Sequence, residues 1–275
     1  MDTISGIGVD LVDVARVSRW LRRHDRNTLL TIFSELELAE ADLHTASAFR
    51  LAASFAIKEA VGKAFGTGLA GLNWCDITLR TAPALSIELE RTAARAAEER
   101  QIVRWLLEVR EHAEFVAARV IALRATNASD EKRLGLTPAS LIQSANTLAV
   151  APAERAFARY GARWLERVLA PLELSYVLNH PSPPAAAAAR VAARRAVRAA
   201  LGAPNGLAWP RPDAAIRSEV GQPPRLLLKG APRALADHAG LSLAGLSLAH
   251  AAGHAAAFVV FERAHGPAAD EPLAQ

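Results

Sequence analysis

Three side chains early in this sequence could hold a cation against a phosphate: Asp10, Glu59 and Lys63. Asp10 closes the run Gly-Ile-Gly-Val-Asp, residues 6–10, and is followed by Leu-Val-Asp-Val-Ala-Arg. Glu59 and Lys63 belong to Phe-Ala-Ile-Lys-Glu-Ala-Val-Gly-Lys-Ala-Phe-Gly-Thr-Gly, residues 55–68. Two carboxylates from different elements can share one hard divalent cation, and an ammonium one helical turn beyond one of them can reach a phosphate oxygen. Phosphate chemistry needs charge neutralised in this way on the oxygens around the attacked phosphorus. A Glu-Lys pair at i,i+4 is by itself an ordinary surface contact worth about 0.2–0.5 kcal/mol. Asp10 in its glycine-flanked strand is what turns the reading towards chemistry. Far downstream, Gly221-Gln222-Pro223 offers a turn, and Leu246-Ser247-Leu248-Ala249-His250 ends in a histidine able to donate to an anion. His250 and His254 make a His-x-x-x-His spacing, but with no Glu after the first His and in an expected strand this is a poor zinc site.

These residues need elements to position them. Ile4–Asp10 predicts a strand, followed by helices and by strands at Asp76–Leu79, Ile87–Leu89, Trp105–Val109 and Phe115–Leu123. The polar stretch from Thr126 to Arg133 breaks the apolar patterning and reads as a linker, after which the order returns and ends in a β-rich run, Ala255–Glu262. The return can be checked by spacing: Glu37 and Glu173 each sit in a Leu-Glu-Leu triplet 136 residues apart, and Gly66 and Gly202 differ by the same interval. After small insertions Pro83 falls opposite Pro223, and Arg119-Val120-Ile121 opposite Phe258-Val259-Val260. The expected organisation is an α+β chain with a first repeat over 1–125, a linker over 126–138, a second repeat over 139–265 and a disordered tail over 266–275.

The helix after Asp10 is expected to divide its faces, with Val14, Val17 and Leu21 on one side and Arg16, Arg19, Arg23 and Arg26 on the other. The sequence pI is near 9.7, yet the formal net charge is only +4. With no recognition-helix or zinc-finger pattern, nucleic acid is not expected as a partner; a phosphorylated small molecule or an acidic protein is. Met1-Asp2-Thr3-Ile4 does not resemble a signal peptide, and arginines at 190, 194, 195 and 198 interrupt the alanine-rich Ala185–Leu201 stretch, so no membrane span is expected. Lone Cys75 rules out an internal disulfide and a cysteine zinc cluster, and the cytoplasm is the expected compartment.

The two ordered motifs, about fifty residues apart and followed by Trp74-Cys75-Asp76-Ile77, resemble the 4′-phosphopantetheinyl transferase superfamily, most closely its small holo-acyl-carrier-protein synthase type. Gly221-Gln222-Pro223 and the Ser-Leu-Ala-His run resemble later motifs of the same family. The resemblance implies transfer of 4′-phosphopantetheine from coenzyme A to a serine of an apo acyl or peptidyl carrier protein, with Mg²⁺ and release of 3′,5′-ADP. It implies Asp10 and Glu59 as metal ligands and Asp10, Glu59 and Lys63 as the catalytic set. Coenzyme A contacts fall to Lys63, Gly221, Gln222, Pro223 and His250. The acidic carrier is expected to dock on Arg16 and on some of Arg19, Arg23 and Arg26. The base that takes the serine proton is Glu59 or a water on the metal. Three positions depart from the family pattern: Gln222 where a lysine is usual, Ala249 where a serine is usual, and Val12 where larger relatives carry a third acid.

Each repeat is incomplete. In the second, Asn146 falls opposite Asp10, Arg195 opposite Glu59 and Ala199 opposite Lys63; in the first, Ala82-Pro83 replaces the Gly-x-Pro turn and Glu111 falls opposite His250. The expectation is a monomeric pseudodimer of two transferase-like halves, each a small antiparallel sheet packed with helices, sharing one composite site. The alternative is a non-catalytic homologue that binds carrier proteins.

Overall fold

The computed structural model describes residues 3–42, 47–68, 70–124, 140–204 and 209–263. The expected linker at 126–138 and the tail at 266–275 lie outside them. The first set of elements is β1 (Thr3–Asp13), α1 (Val14–Leu21), α2 (Arg26–Leu29), α3 (Glu35–Asp42), α4 (Ser47–Phe65), β2 (Ile77–Arg80), β3 (Ser86–Leu89), α5 (Arg91–Glu99), β4 (Ile102–Glu111) and β5 (Phe115–Arg124). The second set follows the same order: β6 (Leu141–Ala149), α6 (Ala151–Tyr160), α7 (Ala162–Val168), α8 (Pro171–Leu178), α9 (Pro183–Ala200), β7 (Ala214–Arg217), β8 (Arg225–Leu228), α10 (Gly230–His238), β9 (Leu241–Ala251) and β10 (His254–Arg263). The chain is thus α+β, with two antiparallel three-stranded sheets among the described residues, β1-β5-β4 and β6-β10-β9, and two hairpins, β2-β3 and β7-β8. No helix among the described residues is long and apolar enough to cross a membrane.

The glycines of the first motif have a steric reason. A Cβ at Gly6 would lie 1.9 Å from the Ala64 carbonyl oxygen, and one at Gly8 1.8 Å from that of Ala60. Backbone therefore approaches backbone where β1 crosses α4, a contact that only residues without a Cβ permit. Ala52, Ala56, Ala60 and Ala64 are buried in the core under this crossing. Ala52 and Ala56 serve packing, and they do not line the space around Glu59 and Lys63.

A buried acid–base pair braces each set. Glu37 accepts from the Ser34 and Leu79 backbone N–H groups, each at 2.9 Å, and its Oε2 lies 2.8 Å from Lys58 Nζ. Lys58, fully buried, also donates to the Trp74 carbonyl at 2.9 Å and to that of Ile77. In the second set Glu173 accepts from the Ala170 and Ile216 N–H groups at 2.7 and 2.9 Å and from Arg194 Nη1 at 3.1 Å. In each set one carboxylate ties the start of a short helix, the long helix and the hairpin strand, satisfying donors that would otherwise be buried without partners.

The two sets meet along β1. Ile7, Val9 and Leu11 pack with Leu141, Ala249, Phe258 and Val260 in one apolar cluster. The Val9 N–H donates to Ser247 Oγ at 3.0 Å, and the Ile4 N–H to Glu262 Oε1 at 2.9 Å. The corresponding outward positions of β6, Gln143, Ala145, Thr147 and Ala149, are exposed.

One element differs from expectation. The arginine-bearing helix stops at Leu21, because Asp25 accepts the Thr28 N–H at 2.9 Å and starts a new helix. Arg23 thus lies in the connecting turn and Arg26 opens α2, while Asp13 caps α1 through the Arg16 N–H at 2.9 Å.

Replacing one member of a buried ion pair strands the other charge in the core, a loss of about 3–5 kcal/mol. Lys58→Met should lower unfolding free energy by about that amount in urea titrations, and adding Glu37→Gln should recover part of it. Equal stability of Lys58→Met and the parent chain would contradict this role.

Candidate active site

Asp10 lies three residues before the end of β1, while Glu59 and Lys63 lie one turn apart on α4. Lys63 does not pair with Glu59. Its ammonium donates to Asp10 Oδ1 at 2.9 Å, to the Val9 carbonyl at 2.8 Å and, across the boundary between the two sets, to the Leu248 carbonyl at 3.2 Å. Those three acceptors match the three protons of an ammonium. The plain i,i+4 surface pair is therefore excluded by geometry.

Around this group opens a cavity of about 620 Å³, lined by Asp10, Asp13, Arg16, Glu59, Lys63 and His250, with Trp20, Phe33, Phe55 and Trp74 on an aromatic wall. Phe55 and Trp74 stack with ring centroids 4.8 Å apart. A second cavity, about 270 Å³, lies on the other side of Lys63, between Gly66 and Thr67 of the first set and Gly221, Gln222 and Pro223 of the second. Gly221 has φ of +75°, which its lack of a Cβ permits, and the Gln222 N–H closes the turn onto the Glu219 carbonyl at 3.2 Å.

The structure thus brings Asp10, Glu59, Lys63 and His250 to one cavity and the Gly221-Gln222-Pro223 turn to its neighbour, with Lys63 lining both. Arg16, Arg19 and Arg23 line the rim of the larger cavity and are exposed. Arg26 is turned elsewhere: its guanidinium is 2.7 Å from Glu35 and 3.3 Å from Asp42, so its charge is already matched within the chain. Asn146 and Arg195, at the second-set places of Asp10 and Glu59, line neither cavity.

The electrostatics of the larger cavity are those of two carboxylates facing one space. Burial raises the pKa of Asp10, opposed by the Lys63 ammonium. Burial also raises that of Glu59, and the neighbouring Asp10 carboxylate adds to the effect. A divalent cation between them would relieve both, and hard oxygen donors of this kind suit Mg²⁺. Among the described residues no group of three or more His, Cys, Asp or Glu side chains could hold a metal ion, so protein ligands to a cation here would be Asp10 and Glu59 alone. His250, exposed on β9, has its pKa lowered by partial desolvation and by nearby His180 and Lys63.

Three residues of the second set escaped sequence reasoning. His180 sits edge-on to His250, centroids 5.3 Å apart, and accepts the Ser182 N–H at its Nδ1 at 3.0 Å. Tyr176 lines the smaller cavity, and buried Arg190 lies 4.9 Å from its ring centroid. Arginine in an otherwise alanine-rich helix was the available signal for Arg190; nothing in the local sequence marks His180 or Tyr176.

Comparison with known proteins bears on the first set. The family model described as the 4′-phosphopantetheinyl transferase superfamily matches residues 6–120. The holo-[acyl-carrier-protein] synthase of Methylobacterium radiotolerans is 43% identical over 96 residues, covering 34% of this chain and 70% of the relative. That of Mesorhizobium japonicum is 42% identical over 81 residues, covering 29% of this chain and 59% of the relative. The chain therefore spans between about three fifths and three quarters of the length of the curated relatives it matches. Among solved structures, the holo-[acyl-carrier-protein] synthase of Neisseria meningitidis is 28% identical, covering 44% of this chain and 98% of that one at a TM-score of 0.41.

A glutamate held by burial and by a neighbouring carboxylate takes up its proton at higher pH than an exposed one as the solution is acidified. In Asp10→Asn the second cause is gone, so the Glu59 midpoint should move back towards lower pH, read from its carboxyl carbon shift by NMR. An unchanged or higher midpoint would contradict the two-carboxylate geometry.

Proposed function

This chain belongs to the 4′-phosphopantetheinyl transferase superfamily, and we propose that it transfers 4′-phosphopantetheine from coenzyme A to a serine of an acidic apo carrier protein, releasing 3′,5′-ADP. On this reading the chain is a pseudodimer of two transferase-like halves with one composite site, whose metal side comes from the first half and whose coenzyme side comes from the second. The observation that carries it is the Lys63 ammonium, bonded at once to Asp10 and to the Leu248 carbonyl two residues before His250. That bond spans the boundary between the halves and lies between the two cavities. The halves lose complementary residues: carboxylates survive only on the first, and the Gly-x-Pro turn and the histidine only on the second.

The chemistry follows from these positions. The carrier serine oxygen bonds to the phosphorus that bears the pantetheine arm, and the bond from that phosphorus to the bridging oxygen breaks, leaving 3′,5′-ADP. Asp10 and Glu59 would hold Mg²⁺, which supplies neutralisation of phosphate charge when bound. Lys63, already anchored by three acceptors, presents a fixed positive charge on the path between the cavities and orients the pyrophosphate. His250 donates to a phosphate oxygen from the second half. Glu59, whose proton affinity is raised by its surroundings, suits acceptance of the serine proton. Arg16, Arg19 and Arg23 give an acidic carrier an approach to the mouth of the larger cavity.

Incubating the chain with coenzyme A, Mg²⁺ and several apo carrier proteins should add a phosphopantetheine mass increment to at least one carrier. Glu59→Ala should reduce the rate about 10²-fold or more, and full activity in that variant would refute the assignment. His250→Ala should raise KM for coenzyme A roughly tenfold, the loss of one hydrogen bond to a charged group. Unchanged coenzyme A kinetics would mean that the second half is only a scaffold.

A further inference from the structure

The helix after β6 occupies the place in its half that α1 occupies in the first, directly after the strand that leads the sheet. It too is basic. Arg155 and Arg159 lie one turn apart on α6, Arg163 and Arg167 one turn apart on α7, and all four are exposed. Among the described residues, none of the four is ion-paired with a carboxylate. Arg16, Arg19 and Arg23 at the larger cavity share this state, whereas Arg26 pairs with Glu35 and Asp42, Arg50 with Glu40, and Arg233 with Asp237. Over residues 151–168 only Glu154 and Glu166 oppose the four arginines.

An apolar anchor stands inside this basic patch. Tyr160 ends α6 with 49% of its surface exposed, its ring 5.2 Å from the Arg159 guanidinium. Tyrosine beside arginine is the pairing enriched at the centres of protein interfaces, whereas a merely solvated face gains nothing from an exposed ring. An exposed tyrosine against Arg159, on a helix pair whose four arginines have no carboxylate pair among the described residues, fits a partner that brings carboxylates and an apolar contact together, as an acidic amphipathic helix does.

We propose that α6 and α7 form a second docking surface for an acidic, helical carrier protein, and that this surface holds the carrier without modifying it. The assignment of the partner rests on the function proposed above, since it takes the carrier to be the acidic protein that α1 receives. The absence of modification rests on the residues beside it. Where the first half has Asp10, Glu59 and Lys63, the second has Asn146, Arg195 and Ala199, which cannot hold a divalent cation or reproduce the Lys63 contacts. One chain would then carry two carriers, one at the catalytic cavity and one remote from it.

The test titrates the full chain with a recombinant apo acyl carrier protein at low ionic strength, with stoichiometry read by native mass spectrometry and calorimetry. Two carriers should bind the parent chain. The double variant Arg155→Glu with Arg159→Glu should weaken one site about tenfold or more while leaving kcat/KM for phosphopantetheine transfer within about twofold. Tyr160→Ala should weaken the same site, and Arg16→Glu should weaken the other site and reduce transfer. Melting curves that match the parent chain establish that the variants are folded. A single carrier bound, sensitive to Arg16→Glu and indifferent to the α6 changes, overturns the second surface and leaves the proposed function standing. No carrier bound and no transfer overturns both. An RNA oligonucleotide that binds through Arg155 and Arg159 while the carrier stoichiometry stays at one also overturns it.

Discussion

The arrangement depends on a single ammonium. Lys63 reaches from α4 past its helical neighbour Glu59 to Asp10 on β1, and its third proton goes to the backbone of β9 in the other half. A half-buried lysine with every donor used is held in one orientation, so the distance from the two carboxylates to the histidine strand is fixed by hydrogen bonds as well as by apolar packing. Neither half could satisfy that lysine alone. The close crossing of β1 over α4 serves the same end, because Gly6 and Gly8 bring the strand near enough for Asp10 and Lys63 to meet.

Behind the site, the halves share a skeleton and differ in surface. Glu37 with Lys58 and Glu173 with Arg194 do the same structural work, satisfying backbone donors at a helix start and at a hairpin strand. Lysine in one and arginine in the other are both accommodated because what the fold requires there is a cation reaching a buried carboxylate. At the site itself the substitutions are of a different kind: Asn146, Arg195 and Ala199 change charge or remove it. The bracing pairs match in type between the two sets, whereas Asp10, Glu59 and Lys63 have no counterpart in the second.

Much of this was legible before any coordinates. The strand expected over Ile4–Asp10, the two Leu-Glu-Leu triplets and the final β-rich run correspond to β1, the two buried glutamates and β10. Asp10, Glu59, Lys63 and His250 do share a cavity. Sequence patterning was weaker where tertiary contacts decide. The partner of Lys63 could not be read from i,i+4 spacing, since the competing acceptor is 53 residues away. Helical spacing carries the arginine stripe past Leu21, through a turn where Asp25 caps the next helix. His180 carries no local signal because its neighbour His250 is 70 residues distant in sequence.

The outward face of β6 has a consequence for assembly. A contact in which one sheet covers the leading strand of the next is head-to-tail, and such contacts can propagate from copy to copy unless the terminal face refuses the next one. On β1 that face is Ile7, Val9 and Leu11, whereas β6 presents Gln143, Ala145 and Thr147 in the same order. Covering it would strip water from an amide and a hydroxyl with little apolar area gained in return. β6 therefore offers the β9 and β10 face of a second copy far less apolar contact than β1 receives.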